Sequence, residues 1–171
     1  RALWELVQNA RDTSSEARIK VELNDTNIIF SHHGKPFDYT SFRALVKQDS
    51  SKDRNGADQV GQYGTGFMTT HAFNRLVYVS GPFVVKTGEE TIKGYVQVKD
   101  FELDRTLVDT AEGPKKMKEQ LEKVKQLWKG ELLQESNDDA TSFRYDLTPS
   151  QVRNVSDQLS SAIHLMPFVL V

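Results

Sequence analysis

Apolar residues recur at Ala2, Leu3, Leu6, Val7 and Ala10, the spacing of one helical face, and predict an amphipathic helix over residues 2–13. Residues 17–23 (ARIKVEL) alternate as a strand does and run into the turn pair Asn24-Asp25. Residues 27–31 (NIIFS) read as a second, more buried strand, so a hairpin is expected. Residues 39–47 carry a short helical pattern. Residues 48–63 (QDSSKDRNGADQVGQY) are polar and glycine-bearing, the profile of a mobile loop. A short helix is expected over 65–73, after a glycine turn, and then three strands at 75–80, 83–87 and 91–100. Between 113 and 134, Met117, Leu121, Val124, Trp128 and Leu132 fall on one stripe and predict an amphipathic helix. Residues 141–147 (TSFRYDL) alternate as a strand, and Thr148-Pro149 opens a last helix with proline near its first turn. Helices interspersed with hairpin-joined strands predict an α+β domain, its mixed, mostly antiparallel sheet covered on one face by helices. This is not the regular βαβ alternation of a doubly wound fold.

Composition narrows the function classes. The chain has 171 residues, enough for a single domain with a substantial core. Lys plus Arg number 22 and Asp plus Glu 24, a net charge of −2, so a dedicated nucleic-acid surface is not indicated. With no cysteine there is no disulfide framework and no thiolate metal site. No apolar run approaches the roughly 20 residues of a membrane helix, and no signal peptide is visible, so a cytoplasmic protein with no membrane partner is expected. The start at Arg1, inside a helical pattern, and the stop at Leu170-Val171, inside an apolar run, suggest a piece of a longer multidomain protein.

Two constellations carry candidate chemistry. Glu5, Asn9 and Asp12 stand at i, i+4 and i+7, so one helix face presents all three. An asparagine carbonyl is a hard oxygen ligand suited to Mg²⁺, and a neighbouring carboxylate can take a proton from an attacking water. On this helix alone a solvated polar face is the simpler reading. The second constellation is GQYGTGF, with Gly61, Gly64 and Gly66 running into a helix. Glycines permit close backbone approach, and a helix start points free N–H groups at an anion. The order differs from both the dinucleotide fingerprint and the P-loop, and by itself it is also what a plain loop offers.

Taken together, the two resemble the motifs of the Bergerat-fold superfamily: type II topoisomerases, the ninety-kilodalton heat-shock chaperone, histidine kinases and mismatch-repair ATPases. That family's E-x-x-x-N-A-x-D appears as Glu5, Asn9, Ala10 and Asp12. Its glycine motif appears as Gly61-Gln-Tyr63-Gly64-Thr65-Gly66-Phe67, in the form nearest the chaperone branch, and its late-strand threonine matches Thr141. The resemblance implies a two-layer α/β sandwich that binds ATP and Mg²⁺. Asn9 would ligate the metal, with Asp12 on the same face at the nucleotide. Glu5 would activate water for attack on the γ-phosphate. Gly61, Tyr63, Gly64, Thr65, Gly66 and Phe67 would line the phosphates. Residues 48–63 would form the lid, with Ser51 or Lys52 reaching the nucleotide, and Thr141 would approach adenine through water.

One stretch departs from the family. The usual D-x-G-x-G is replaced by His32-His33-Gly34-Lys35-Pro36-Phe37, an H-x-G-x-P-F form similar to a prokaryotic subgroup related to the ATP-binding repeats of sacsin. His32 stands where the family's Asp accepts the adenine amino hydrogen, with Gly34 beside it. A neutral imidazole retains one acceptor nitrogen and can still do so, whereas the same ring presenting N–H favours a carbonyl such as guanine's. The competing reading is that His32 only packs beside the sheet. The function implied is ATP hydrolysis that drives lid closure in a larger chaperone-like protein. Its expected partners are nucleotide, other domains of the same protein and a second copy of the chain in a homodimer. The alternatives are a non-hydrolytic nucleotide-sensing module and a histidine kinase catalytic domain. Residues 113–134 form a helical insertion whose mixed lysines and glutamates read best as a solvated face.

Overall fold

The computed structural model describes residues 2–13, 18–47, 65–87, 91–136 and 140–165. The chain is α+β: five antiparallel strands form one sheet, packed with helices as a two-layer α/β sandwich. In chain order the elements are α1 (Ala2–Thr13), β1 (Arg18–Leu23), β2 (Asn27–His33), α2 (Tyr39–Lys47) and α3 (Thr65–Met68). A 3₁₀ turn (Thr69–Ala72) leads to β3 (Leu76–Thr87), β4 (Thr91–Asp104), α4 (Gly113–Leu127), β5 (Ala140–Asp146) and α5 (Pro149–Leu165). The sheet order is β1-β2-β5-β3-β4.

Strict alternation builds the core. On β2, Ile28, Phe30 and His32 are buried; on β5, Thr141, Phe143 and Tyr145 are. The intervening residues are half-buried, so one face of this pair carries the core and the other stays polar. The helices press their apolar stripes onto that inner face: Leu6, Val7 and Ala10 from α1, Phe42, Leu45 and Val46 from α2, Val124 from α4 and Val155 from α5. Among the described residues no helix is long and apolar enough to cross a membrane.

Local chemistry sets the helix starts. Asp38 and Ser41 close a reciprocal cap on α2: Ser41 N–H donates to Asp38 Oδ1 at 2.8 Å, and Asp38 N–H donates to Ser41 Oγ at 3.0 Å. Thr148 and Gln151 repeat the device on α5, where Thr148 N–H donates to Gln151 Oε1 at 2.8 Å.

The end of α2 is held differently. Arg105, directly after β4, is only 4% exposed, and its Nη1 donates to the Val46 carbonyl at 2.7 Å while Nη2 donates to the Leu45 carbonyl. These are the orphan acceptors at the negative end of the helix dipole. Burial lowers the guanidinium pKa to about 10, so it stays charged at neutral pH. Arg105→Met would relieve the cost of burying that charge but strip both carbonyls. Hydrogen bonds from a charged group are worth about 1.5–3 kcal/mol each, so the loss wins, with a net destabilisation of about 2 kcal/mol in urea unfolding. An unchanged midpoint would show that those carbonyls find other partners.

Three expectations shift. The segments 75–80 and 83–87 are one strand, β3: Gly81 adopts φ +147°, and a register shift between Val79 and Gly81 absorbs the irregularity without ending the strand. A Cβ at Gly81 would lie 2.9 Å from the Ala140 carbonyl oxygen, so glycine is what lets β5 approach here. β2 extends past residue 31 and takes in His32 and His33. The helix expected to reach 134 ends at Leu127; beyond Gly130 the chain turns, and Leu133 exchanges two 2.8 Å backbone hydrogen bonds with Tyr95 of β4.

Candidate functional site

On helix α1, Glu5 and Asn9 are half-buried and Asp12 is exposed. His32 lies on the inner face of β2 and is 5% exposed. Its ring stacks on Phe143, with centroids 6.3 Å apart and planes at 15°, and tilts against Phe30 at 6.2 Å. Thr141 pairs with His32 directly across the β2–β5 ladder and is also buried. Phe67, the last residue of the glycine motif, sits on α3 with its ring 5.6 Å from Phe143.

Asn9, His32 and Phe67 therefore meet around one small cavity of about 20 Å³, walled also by Leu6, Leu45 and Phe143. Asn9 Nδ2 and His32 Nδ1 are both buried, and neither has a hydrogen-bond partner. Buried polar atoms are paired in the large majority of cases, because leaving one bare costs about 1–3 kcal/mol. Both stand on residues that line this otherwise apolar cavity. A larger open groove, about 1260 Å³, runs between α4 and β4, far from these motifs. Its size is that of a surface furrow, and the convergent chemistry belongs to the small cavity.

Glu5, Asp12, Gly34 and Thr141 do not line the cavity; Gly34 lies in the bend after β2. Ser51, Lys52, Gly61, Tyr63 and Gly64, with the lid at 48–63, fall outside the described residues. Thr65 and Gly66 open α3. Phe143 and Leu45 were not singled out from sequence. Phe143 was within reach, since it follows Thr141 by two on an alternating strand and must share its face; Leu45 carried no signal beyond an apolar helix position.

Burial, reinforced by the neighbouring His33, lowers the His32 pKa from 6.5 to about 4. The ring is thus neutral at pH 7 and keeps an acceptor nitrogen. Stability follows. The unfolded chain binds a proton at His32 below about pH 6.5 and the folded chain only below about pH 4, so stability falls as pH drops through that window. At 1.36 kcal/mol per unit the loss is about 3 kcal/mol. His32→Gln should flatten this slope in urea midpoints taken between pH 4 and 7. An identical slope in the variant would place the titration elsewhere.

Among the described residues no group of three His, Cys, Asp or Glu could hold a metal ion. Mg²⁺ in a nucleotide complex needs only one or two protein oxygens, the rest being water and phosphate. Asn9, which lines the cavity, carries one such oxygen in its carboxamide. Compared with protein-family models, curated proteins and solved structures, the chain matches none.

Proposed function

We propose that this chain is an Mg²⁺-dependent ATP-binding and hydrolysing domain of the Bergerat type, working within a larger chaperone-like protein. The observation that carries the reading is the convergence of Asn9, His32 and Phe67 on one cavity, the first two each carrying a buried polar atom without a hydrogen-bond partner. These residues come from three separate motifs, and a solvated helix face with an unrelated glycine loop gives no reason for them to meet.

In this reading Asn9 holds Mg²⁺ by its carboxamide oxygen, and the metal neutralises the phosphates. Glu5, one turn earlier and half-exposed, orients and deprotonates the attacking water. Phe67 and the glycines before it surround the phosphates, and His32 reads the base with Thr141 beside it. The cavity of about 20 Å³ has room for a water, not a purine. Nucleotide entry therefore requires movement of a wall, and Phe67, on the four-residue α3, is one such wall.

Calorimetry with ATP and Mg²⁺ tests the reading. Binding is expected in the unmodified protein, lost or weakened at least tenfold in Asn9→Ala and dependent on Mg²⁺. An absence of binding with ATP and with GTP would overturn it. A second reading, a nucleotide-sensing module without turnover, is favoured by one observation: Glu5 does not line the cavity that Asn9 and His32 share. Hydrolysis assays on the purified chain separate the two.

A further inference from the structure

The wall residue Phe67 belongs to a segment stitched at three-residue steps. Thr70, which has no exposed surface, donates its hydroxyl to the Phe67 carbonyl at 2.7 Å. The Phe73 N–H donates in turn to the Thr70 carbonyl at 2.9 Å. The segment then meets α5: Gln151 Nε2 donates to the Phe73 carbonyl at 2.8 Å, across 78 positions of chain. The same amide closes the α5 cap, its Oε1 accepting from the Thr148 N–H at 2.8 Å and from the Thr148 hydroxyl at 2.9 Å. A backbone N–H only donates and a backbone carbonyl only accepts, so a single orientation of the amide serves both partners.

We propose that Gln151 is a positioning residue for the cavity wall, and that Phe67 and the first turn of α5 move together. Phe67, Thr70 and Phe73 are all buried and linked in series, so residues 67–73 shift as one piece. Asn74 supplies the pivot: its Nδ2 donates to the Asp146 carbonyl of β5 at 2.9 Å, and its Oδ1 accepts from the Leu76 N–H at 2.9 Å. The segment can therefore turn at its end but cannot slide off the sheet. A hydrogen bond stretched from 2.8 Å to about 3.6 Å is no longer one, so about 0.8 Å of travel at the Phe73 carbonyl either drags Gln151 with it or breaks the link. The ligand side of this inference rests on the nucleotide reading above. A purine enters only if a wall such as Phe67 yields, and the α5 cap then moves with it. The first turn of α5 is thereby the place where an open cavity is read.

The test is amide hydrogen exchange, followed by NMR on the nucleotide-free protein, so that failure here and failure of ATP binding are separate results. Gln151→Glu keeps the acceptor for Thr148 and suits the positive end of the α5 dipole, but it has no N–H for the Phe73 carbonyl. It should speed exchange at Phe73 about two- to tenfold, the worth of one neutral hydrogen bond, and shift the Phe67 ring protons. Val152, whose N–H donates to the Thr148 carbonyl at 3.0 Å, should stay as protected as before. Gln151→Met, which loses the cap as well, should speed Val152 too. Thr70→Val cuts the series at its other end and should speed exchange at Thr148 in the otherwise unmodified protein, but not in Gln151→Glu. A purely capping role for Gln151 would leave Phe73 and the Phe67 ring unmoved in Gln151→Glu. That result overturns the proposal even if Thr70→Val does not fold, and so does a Thr148 amide indifferent to Thr70→Val.

Discussion

On the proposed function, Glu5→Ala is expected to lower ATP turnover about 10²–10⁴-fold while Mg-ATP still binds, because that is the usual worth of a positioned general base. The separation of effects follows from the helix. Glu5 and Asn9 are one turn apart on the same side of α1, so the water that Glu5 activates lies next to the metal that Asn9 holds. The alanine removes the base without touching the cavity wall, since Glu5 is half-exposed and lines none of it. Alanine is also a strong helix former, so α1 should persist. Turnover measured under saturating ATP, with calorimetry on the same sample, checks both halves. Unchanged turnover would remove Glu5 from the mechanism and leave the sensing module standing.

The largest loss of stability should come from Phe42→Ala, about 3–5 kcal/mol by urea denaturation. Phe42 has no exposed surface and stands at the centre of an aromatic cluster. Its ring centroid is 4.5 Å from Phe83, 5.0 Å from Phe101, 5.6 Å from Phe37 and 6.0 Å from Trp128. These rings come from α2, β3, β4, the Phe37 segment and the end of α4, so no single element can relax into the space left behind. Tilted and edge-to-face pairs add about 0.5–1.5 kcal/mol each beyond area burial, which pushes the cost to the upper part of the range. Phe42→Leu, which keeps most of the volume, should cost much less. A loss under about 1.5 kcal/mol for the alanine variant would mean that the cluster collapses around the gap.

Where the chain's pattern was strictly periodic, the structure follows it. The bounds of α1 and α2 agree with the apolar spacing, and Thr148-Pro149 does open α5, because these signals are local and complete within a few residues. Gly81-Pro82 misled because both residues ordinarily interrupt a strand. What rescues β3 is not local: Pro82, which has no N–H, stands across from Gln97 of β4, and Gly81 makes room for β5. The stripe from Met117 to Leu132 overran for a related reason. Its last apolar residue leads into a pairing with Tyr95, almost forty positions back, and a periodicity count has no access to that partner.

The candidate site divides the same way. Asn9 and Phe67 could be named from motifs, and His32 from the position it takes in one. That His32 belongs to the strand, opposite Thr141 and stacked on Phe143, follows from the β2–β5 register, which no stretch of sequence states by itself. The orphan nitrogens were further still from view, since a side chain's lack of a partner is a property of the whole packed neighbourhood. Arg105 carried no motif at all, yet it fixes the end of α2 on which Leu45 reaches the cavity.

The strand order has a consequence for how the chain is assembled. β1 with β2, and β3 with β4, are neighbours in sequence and can zip as they leave the ribosome. The strip that joins them, β5, is made last and sits between them, pairing with β2 on one side and β3 on the other. Until Ala140–Asp146 arrives, two half-sheets wait with their inner edges bare and their apolar faces only partly covered. Any truncation upstream of that strand leaves not a smaller sandwich but two sticky ribbons, and His32 faces no Thr141 or Phe143 until β5 has emerged.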